Sequence, residues 1–349
     1  MGPIELIRAS GTHREAGRVI GAATADYLRA STGEAFDRGI PGGRSRAEQL
    51  DLAAAYREAT AAAFPQVVAE CEGIAEGAGV DALALFARGV EEIWYEPYGR
   101  CSDLVAGPGA TTDGHLIVGH NNDLSPSTER WVVAIERRIE GEPVVFTLGV
   151  GPWPSAGWSS AGISFTGNEL SPNDERIGVP RLLQFRAMLG QSGLVEVEGA
   201  ALHPDRASSY NNLLATRDGL VVNIEGSATD AELTGLDSRG LLAHTNHYAC
   251  DRMLPFEGDH GYAVGSAVRL ARGRDLLELH AGHIDAPKMR EMLADHDSSP
   301  PLCRHTPLEA APKDTSKTVF WCVVDVTEMA VRYGRGNPCE PGEQEYRFT

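Results

Sequence analysis

A chain of 349 residues with 42% hydrophobic and 23% charged residues has the composition of a globular protein with a sizeable core. Its formal net charge of −18 argues against a nucleic-acid partner, because binding to phosphates needs a basic face. The sequence has no run of about 18 apolar residues, so no membrane partner is expected. No secretory signal is evident, and the six scattered cysteines form no C-x-x-C pair, which together favour a reduced, cytoplasmic protein.

The first hundred residues are predicted to be mostly helical. A short strand candidate at residues 3–9 precedes Thr12 and Glu15, which have the spacing of a helix capping box. A second helix is predicted over residues 46–64. A third starts at Pro65 and stops at residues 76–79, and a fourth covers residues 81–94.

After residue 100 the pattern changes to β-type runs. Strands are predicted at residues 131–139, 144–150, 162–166, 209–215, 220–224, 241–245, 318–324 and 329–333, with helices at 179–190, 264–280 and 286–295. Several strands come as adjacent pairs, which indicates antiparallel hairpins. Hairpins grouped apart from helices predict a layered α+β fold rather than a doubly wound α/β fold, and the absence of a linker predicts one structural domain.

The chemistry is expected at residues 101–123, where a cysteine enters an apolar run that turns at residues 112–114 and returns to Asp123. This pattern predicts a β-hairpin that brings amide and carboxylate side chains back beside Cys101. A single cysteine in a hairpin is more often a small buried hydrophobic residue than a nucleophile. An N-terminal cysteine differs, because its own α-amino group, with a pKa of about 7.7–8.0, can accept the thiol proton.

Our hypothesis is that self-cleavage after Arg100 makes Cys101 a new N-terminus. Such a site needs a carboxylate to orient the ammonium group, and Asp123 is the candidate. It also needs a donor for the tetrahedral oxyanion, and Asn246 is the candidate because amides at strand ends are suitable donors.

Other signals are weaker. His244, His247 and Cys250 could form a metal site with His115 or His120, but positions 244 and 247 of a strand point to opposite faces. Neither a metal nor a cofactor is therefore predicted. The aromatic stretch at residues 153–158 could line a pocket for an acyl group or pack in a surface loop.

Several stretches resemble one family, in the expected order over nearly the whole chain. They are residues 10–17 with Gly21, 64–65, 70–80, 101–123, 162–168, 245–247, 303–305, 318–325 and 336–339. Together they resemble the acyl-coenzyme A:isopenicillin N acyltransferase family of autoproteolytic N-terminal-nucleophile amidohydrolases and acyltransferases.

The resemblance implies a four-layer αββα sandwich with two stacked antiparallel sheets. It also implies cleavage into a helical α chain, residues 1–100, and a β chain, residues 101–349. By the same resemblance Cys101 is the nucleophile, Asp123 orients its amine and Asn246 binds the oxyanion. Five further residues are assigned a substrate-binding or supporting role, namely Arg304, Asn122, Asn168, His120 and His247.

Three positions depart from the family pattern. Arg100 stands where members commonly carry glycine, His120 where bile-salt hydrolases and penicillin V acylases carry arginine, and Phe86 where an asparagine is expected. The implied substrate is a small-molecule amide or acyl donor, with water or an amine as acceptor. Two alternatives stay open, an unprocessed hydrolase whose Cys101 is activated by His120 or His247, and an inactive binding homologue. The acyl specificity and the presence of a homo-oligomer are also left open.

Overall fold

Two β-sheets lie face to face between two layers of helices in the computed structural model, which describes residues 2–94, 100–258, 263–306 and 316–348. The strands are β1 Glu5–Gly11, β2 Arg100–Ala106, β3 Ile117–Leu124, β4 Val132–Ile139, β5 Val145–Val150, β6 Trp153–Ser159, β7 Ile163–Asn168, β8 Asn211–Thr216, β9 Val221–Gly226, β10 Ala231–Thr234, β11 Leu241–His244, β12 Lys317–Asp325, β13 Ala330–Arg335 and β14 Gln344–Arg347.

Ten α-helices are present in the described part of the chain. They are α1 His13–Ala23, α2 Ala25–Thr32, α3 Glu34–Gly39, α4 Arg46–Ala63, α5 Pro65–Ala78, α6 Ala82–Arg88, α7 Arg181–Leu189, α8 Leu194–Ala201, α9 Ala263–His280 and α10 Ala286–Leu293. None of these helices combines the length and the hydropathy that a membrane span requires.

The eight-stranded sheet has the order β1-β4-β5-β6-β7-β8-β9-β10, and the six-stranded sheet has the order β11-β2-β3-β12-β13-β14. Strand pairs in the described residues are antiparallel, with the exception of β1 and β4, which run parallel. Through this parallel pairing the N-terminal strand β1 joins a sheet whose other strands all come from residues after 130.

Three apolar clusters define the layers. One cluster fills the space between the sheets and includes Phe146, Trp158 and Phe320. A second joins α1 and α4–α8 to the eight-stranded sheet, and a third joins α9 and α10 to the six-stranded sheet. The predicted α+β fold and its four-layer αββα arrangement are therefore confirmed.

Glycines allow α1 and α5 to pack in direct backbone contact. A Cβ placed on Gly21 would lie 2.0 Å from the carbonyl oxygen of Ile74, and one on Gly73 would lie 2.1 Å from that of Arg14. Any larger residue would separate the helices, so these glycines serve this contact. The capping box is also present, since the Thr12 hydroxyl and the Glu15 carboxylate each accept the other residue's backbone N–H.

The structure corrects some predicted boundaries. The fourth helix was predicted over residues 81–94, but α6 ends at Arg88 because Gly89 caps it, and a 3₁₀ turn at Glu91–Ile93 follows. The aromatic stretch at residues 153–158 is not a surface loop but strand β6, between β5 and β7, and its first residues line a cavity as the other alternative predicted. Helices α3 and α8 and strands β10 and β14 were not predicted. The first helix was predicted with apolar positions from Ala16 to Tyr27, but the structure divides it at Thr24 into α1 and α2.

Candidate active site

The predicted hairpin is formed by β2 and β3, which pair so that Cys101 faces Asn122 and Asp103 faces His120. Alternation along the strands places these four side chains on the face toward the eight-stranded sheet, together with the inter-sheet core. Ser102, Asn121 and Asp123 therefore belong to the opposite face, on which α9 and α10 pack. The Cys101 thiol and the Asp123 carboxylate therefore lie on opposite faces of the six-stranded sheet.

Hydrogen bonds hold the backbone on both sides of Cys101. Its peptide N–H donates to Asn246 Oδ1 at 2.7 Å, and its carbonyl oxygen accepts from Arg269 Nη1 at 2.6 Å. The same guanidinium nitrogen donates to Ser102 Oγ at 2.8 Å. The Cys101 side chain is 6% exposed, and Asn122 Nδ2 lies 3.5 Å from its sulfur. The backbone of the nucleophile candidate is therefore fixed in position, and its side chain is nearly buried.

The Asn246 amide has a single orientation that satisfies its neighbours. Its Oδ1 accepts from Arg269 Nη2 at 2.9 Å as well as from Cys101, whereas its Nδ2 donates to the carbonyl oxygen of Glu169 at 3.1 Å. The amide oxygen thus faces the nitrogen of Cys101. The Nδ2 donor that was predicted to bind an oxyanion is adjacent to the site but bonded to Glu169.

Asp123 lies in register with Arg100 on the neighbouring strand. Its Oδ1 accepts from Thr318 Oγ1 at 2.7 Å, and its Oδ2 has no hydrogen-bond partner among the described residues. Burial raises the pKa of Asp123, although the nearby Arg269 and Arg304 oppose the shift. The carboxylate therefore has one oxygen available for a new partner at the point where the nitrogen of Cys101 begins.

The segment at Arg304 is attached to this carboxylate through Thr318. The Arg304 N–H donates to Thr318 Oγ1 at 3.0 Å, and the Thr318 N–H donates to the carbonyl oxygen of Arg304 at 3.0 Å. Arg304, predicted as a basic position near the nucleophile, thus lies beside Asp123.

The thiol of Cys101 is held in its neutral form. Burial raises its pKa well above the usual range, and the negative charges of Asp123, Asp103 and Glu169 raise it further. A thiol in this setting reacts only if a base takes its proton during the attack.

His120 is positioned by Asp103, with Nδ1 2.9 Å from Oδ1 and both side chains fully buried. Its Nε2 lies 3.4 Å from Asn122 Nδ2, so that the Asn122 amide stands between the imidazole and the Cys101 sulfur.

Asn168 and His247 have other partners. Asn168 Oδ1 is bonded to His244 Nδ1 at 2.8 Å, and His247 Nδ1 is bonded to Ser266 Oγ at 2.7 Å. Strand β11 ends at His244, so His247 lies in the loop that follows, not on a strand face as predicted. In the described residues the two histidines do not join Cys250 in a cluster of metal ligands.

A cavity of about 240 Å³ opens onto Cys101 and Asn122. Its wall is largely aromatic and apolar, with Tyr27, Trp94, Trp153, Leu182 and Phe185 among the lining residues. The N-terminal helical part and β6 both contribute to it, so the fold builds the cavity from segments on both sides of residue 100.

The polar end of the cavity is formed by Arg181 and two glutamates. Arg181 Nε lies 2.7 Å from Glu91 Oε2, and its Nη2 lies 2.8 Å from Glu169 Oε1. Burial and the charge of Glu91 raise the pKa of Glu169 to about 7, against the attraction of Arg181. This end of the cavity can therefore change its charge near neutral pH.

Arg269, Glu169 and Thr318 contact the site but were not predicted from the sequence. Arg269 did carry a signal, because it belongs to a row of buried positions on α9 that otherwise holds small or apolar residues, Ser266, Leu270, Gly273, Leu276 and Leu277. A charged residue inside such a row is rarely buried without a partner.

Comparisons with solved structures give low identities. Two variants of the conjugated bile acid hydrolase from Clostridium perfringens align at 12% and 13% identity, each with a TM-score of 0.48, over 71% of this chain and 97% of theirs. Penicillin V acylase from Agrobacterium tumefaciens aligns at 11% identity with a TM-score of 0.46, over 71% of this chain and 86% of its own. No curated protein matches the chain.

The family comparison is more specific. The family model described as acyl-coenzyme A:6-aminopenicillanic acid acyl-transferase matches residues 110–340, which include β3, Asn246 and the Arg304 segment. The match covers about two thirds of the chain and agrees with the resemblance noted from its motifs. The chain therefore belongs to the acyl-coenzyme A:6-aminopenicillanic acid acyl-transferase family.

Proposed function

We propose that the protein is an amide hydrolase or acyltransferase that activates itself by cleavage between Arg100 and Cys101. The observation that carries the proposal is the hydrogen bond of 2.7 Å between the Cys101 nitrogen and Asn246 Oδ1. The nitrogen that would become the α-amine is already held beside the cavity, and the register of β2 and β3 puts Asp123 next to it. The family membership supports the same chemistry.

The cleavage is an attack of the chain on itself. Cys101 Sγ attacks the carbonyl carbon of Arg100, the peptide C–N bond breaks, and the thiol proton ends on the departing nitrogen. Water then hydrolyses the resulting thioester, which leaves Arg100 with a carboxylate and Cys101 with a free thiol and a free amine.

The new amine supplies the base that the buried thiol lacks. Asp123 Oδ2 would accept a hydrogen bond from the ammonium group and hold it beside the sulfur. The amine takes the thiol proton as the sulfur attacks the substrate carbonyl, and returns it to the leaving group. We assign the developing oxyanion to two side-chain donors, Asn122 Nδ2, which lies 3.5 Å from the Cys101 sulfur, and Asn246 Nδ2. The acyl group on Cys101 then passes to water or to an amine.

The cavity favours a substrate with an apolar or aromatic acyl group and a polar end. Trp153, Leu182 and Phe185 line the apolar part of the cavity. Arg181 and Glu169 can bind the polar end. A cavity with one apolar part, one polar end and a volume of about 240 Å³ fits a small-molecule amide better than a long polymer.

The test is the intact mass and the N-terminal sequence of the purified protein. Wild type should yield fragments 1–100 and 101–349, the second beginning Cys-Ser-Asp, whereas Cys101→Ala should remain whole. Cys250→Ala is the matched control, because that thiol does not line the cavity that opens onto Cys101, and it should be processed like wild type. A wild-type protein that stays a single chain contradicts self-activation.

A second candidate function keeps the chain intact and uses His120 as the base. The fully buried Asp103–His120 pair favours it, because this pair is separated from Cys101 only by the Asn122 amide. In that case the uncut wild type should react with a thiol-directed probe at Cys101, and His120→Asn should abolish the reaction. If the chain is cut and His120→Asn still reacts, this candidate is excluded.

A further inference from the structure

We propose that Cys303, Cys339, His296 and His305 bind one zinc ion in a structural site. One ligand atom from each of these residues lies within 4.8 Å of the other three. Two thiolates and two imidazoles are a ligand set that zinc prefers, and four protein ligands fill its tetrahedral coordination. The proposal is independent of the function proposed above, because none of the four residues contacts Cys101.

The distances among three of the four ligand atoms match the edges of a zinc tetrahedron. Zinc–sulfur bonds of about 2.3 Å and zinc–nitrogen bonds of about 2.0 Å place two sulfurs about 3.8 Å apart, and a sulfur about 3.5 Å from a nitrogen. The two sulfurs are 3.7 Å apart, and His305 Nε2 lies 3.7 Å from Cys303 Sγ and 3.3 Å from Cys339 Sγ. A disulfide would need the sulfurs at about 2.05 Å, and both cysteines are free. These three atoms thus have the spacing for a shared ion.

The surroundings fit a bound thiolate. Asn337 Nδ2, fully buried, lies 3.3 Å from Cys303 Sγ and also donates to the carbonyl oxygen of Arg304 at 2.7 Å. Amide donors to a metal-bound sulfur are the usual outer contacts of zinc sites. His296 stacks on His305 with ring centroids 5.2 Å apart, which brings the fourth ligand from the end of α10. Three of the ligands are exposed, so zinc can enter from solvent.

The ion would join three separate segments. His296 follows α10, Cys303 and His305 lie in the loop before β12, and Cys339 lies in the turn after β13. Arg304 stands between two of the ligands, and its backbone bonds to Thr318, which in turn donates to Asp123. Zinc would therefore fix the loop that supports the candidate carboxylate, and with no open coordination position it would not act on substrate itself.

The experiment measures metal in the full-length protein, purified without chelator and then dialysed against zinc and against buffer. We expect one zinc per chain in wild type, in Cys250→Ser and in Cys101→Ala, and loss of most of the zinc in Cys339→Ser. Cys339 is exposed, so this variant should fold, and its circular dichroism checks that point. The Cys101→Ala control separates this proposal from the proposed function, because that variant should bind zinc even though it cannot process itself.

Cobalt provides a second readout. Protein stripped of metal and reloaded with Co²⁺ should show thiolate-to-metal charge-transfer absorption and the d–d bands of a tetrahedral site, and Cys339→Ser should lose both. Wild type that binds neither metal overturns the proposal. So does a disulfide-linked peptide of Cys303 and Cys339 in a non-reducing digest, or undiminished zinc in Cys339→Ser.

Discussion

Asn246→Ala tests the arrangement around the nucleophile most directly. The Asn246 side chain is fully buried and serves three groups, the Cys101 N–H, Arg269 Nη2 and the carbonyl oxygen of Glu169. Alanine leaves all three without this partner. Because a buried polar group without its partner costs about 1–3 kcal/mol, we expect the free energy of unfolding to fall by about 3 kcal/mol or more.

The effect on self-cleavage should be larger than the effect on stability explains. In the proposed mechanism, Asn246 fixes the nitrogen that leaves in the cleavage and supplies a donor for the oxyanion. Loss of one such donor typically slows acyl-transfer steps by about 10²–10³-fold, so fragment 101–349 should accumulate more slowly by that factor. The assay is a time course of cell-free synthesis followed by intact mass, which observes the chain from the moment it folds.

Asn223→Ala is the matched control. Asn223 is also a buried strand asparagine, with hydrogen bonds to Asn211 and Thr234, but it lies in the eight-stranded sheet away from Cys101. It should lose stability and still process at the wild-type rate. Asn246→Asp keeps an acceptor for the Cys101 nitrogen but loses the Nδ2 donor, so it should process faster than Asn246→Ala and still turn over substrate poorly. Wild-type processing by Asn246→Ala would refute both assigned roles.

Three further changes test the electrostatics. Burial lowers the pKa of His13, but hydrogen bonds to Glu142 and Glu70 outweigh it and raise the pKa to about 9 from 6.5. Protonated His13 should therefore add up to about 3 kcal/mol to the free energy of unfolding below pH 6.5, and this stabilisation is lost as the pH rises through 9. The denaturation midpoints of wild type and His13→Gln should converge above that pH. Glu70→Gln removes the negative charge that pairs with the buried Arg137 and Arg186, so the free energy of unfolding should fall by about 3 kcal/mol or more in the same assay. Glu169→Gln removes a charge that raises the pKa of Cys101, so the Cys101 thiol of this variant should alkylate several-fold faster than that of wild type at pH 8. The two rates should be equal well below pH 7, where Glu169 is neutral in wild type too. Equal rates at both pH values would contradict the assigned interaction.

Local patterns predicted the hairpin and the helix starts because their causes are local. Strand alternation and a turn sequence are enough to bring the amide and carboxylate side chains before residue 124 back beside Cys101, and a capping box is enough to start α1 at His13. The layered α+β class followed from the grouping of hairpins, and the family resemblance added the number and order of layers.

Contacts between distant segments could not be predicted in the same way. Arg269 donates to the carbonyl oxygen of Cys101, although the two residues are 168 positions apart in the sequence. The packing of α9 on β2 brings them together. Asn246 was predicted as a donor from its place at a strand end, yet its oxygen faces the nucleophile because Glu169 takes the amide hydrogen. Cys339 lies 36 residues from Cys303, so their proximity depends on the turn after β13.

On the proposed mechanism, one bond keeps the precursor inactive toward substrates. Burial and nearby carboxylates hold the Cys101 thiol neutral, and the nitrogen that would act as its base in this mechanism is bound in the peptide bond to Arg100. Attack on that same bond is still feasible, because the carbonyl belongs to the adjacent residue and needs no binding step. Its cleavage releases the amine beside Asp123 and gives the thiol its base. The bulk of Arg100 should then affect how fast the chain matures but not how the mature enzyme works, so Arg100→Gly should speed up processing and leave kcat/KM of fully processed protein unchanged. A change in kcat/KM after complete processing would show that residue 100 also shapes the mature site.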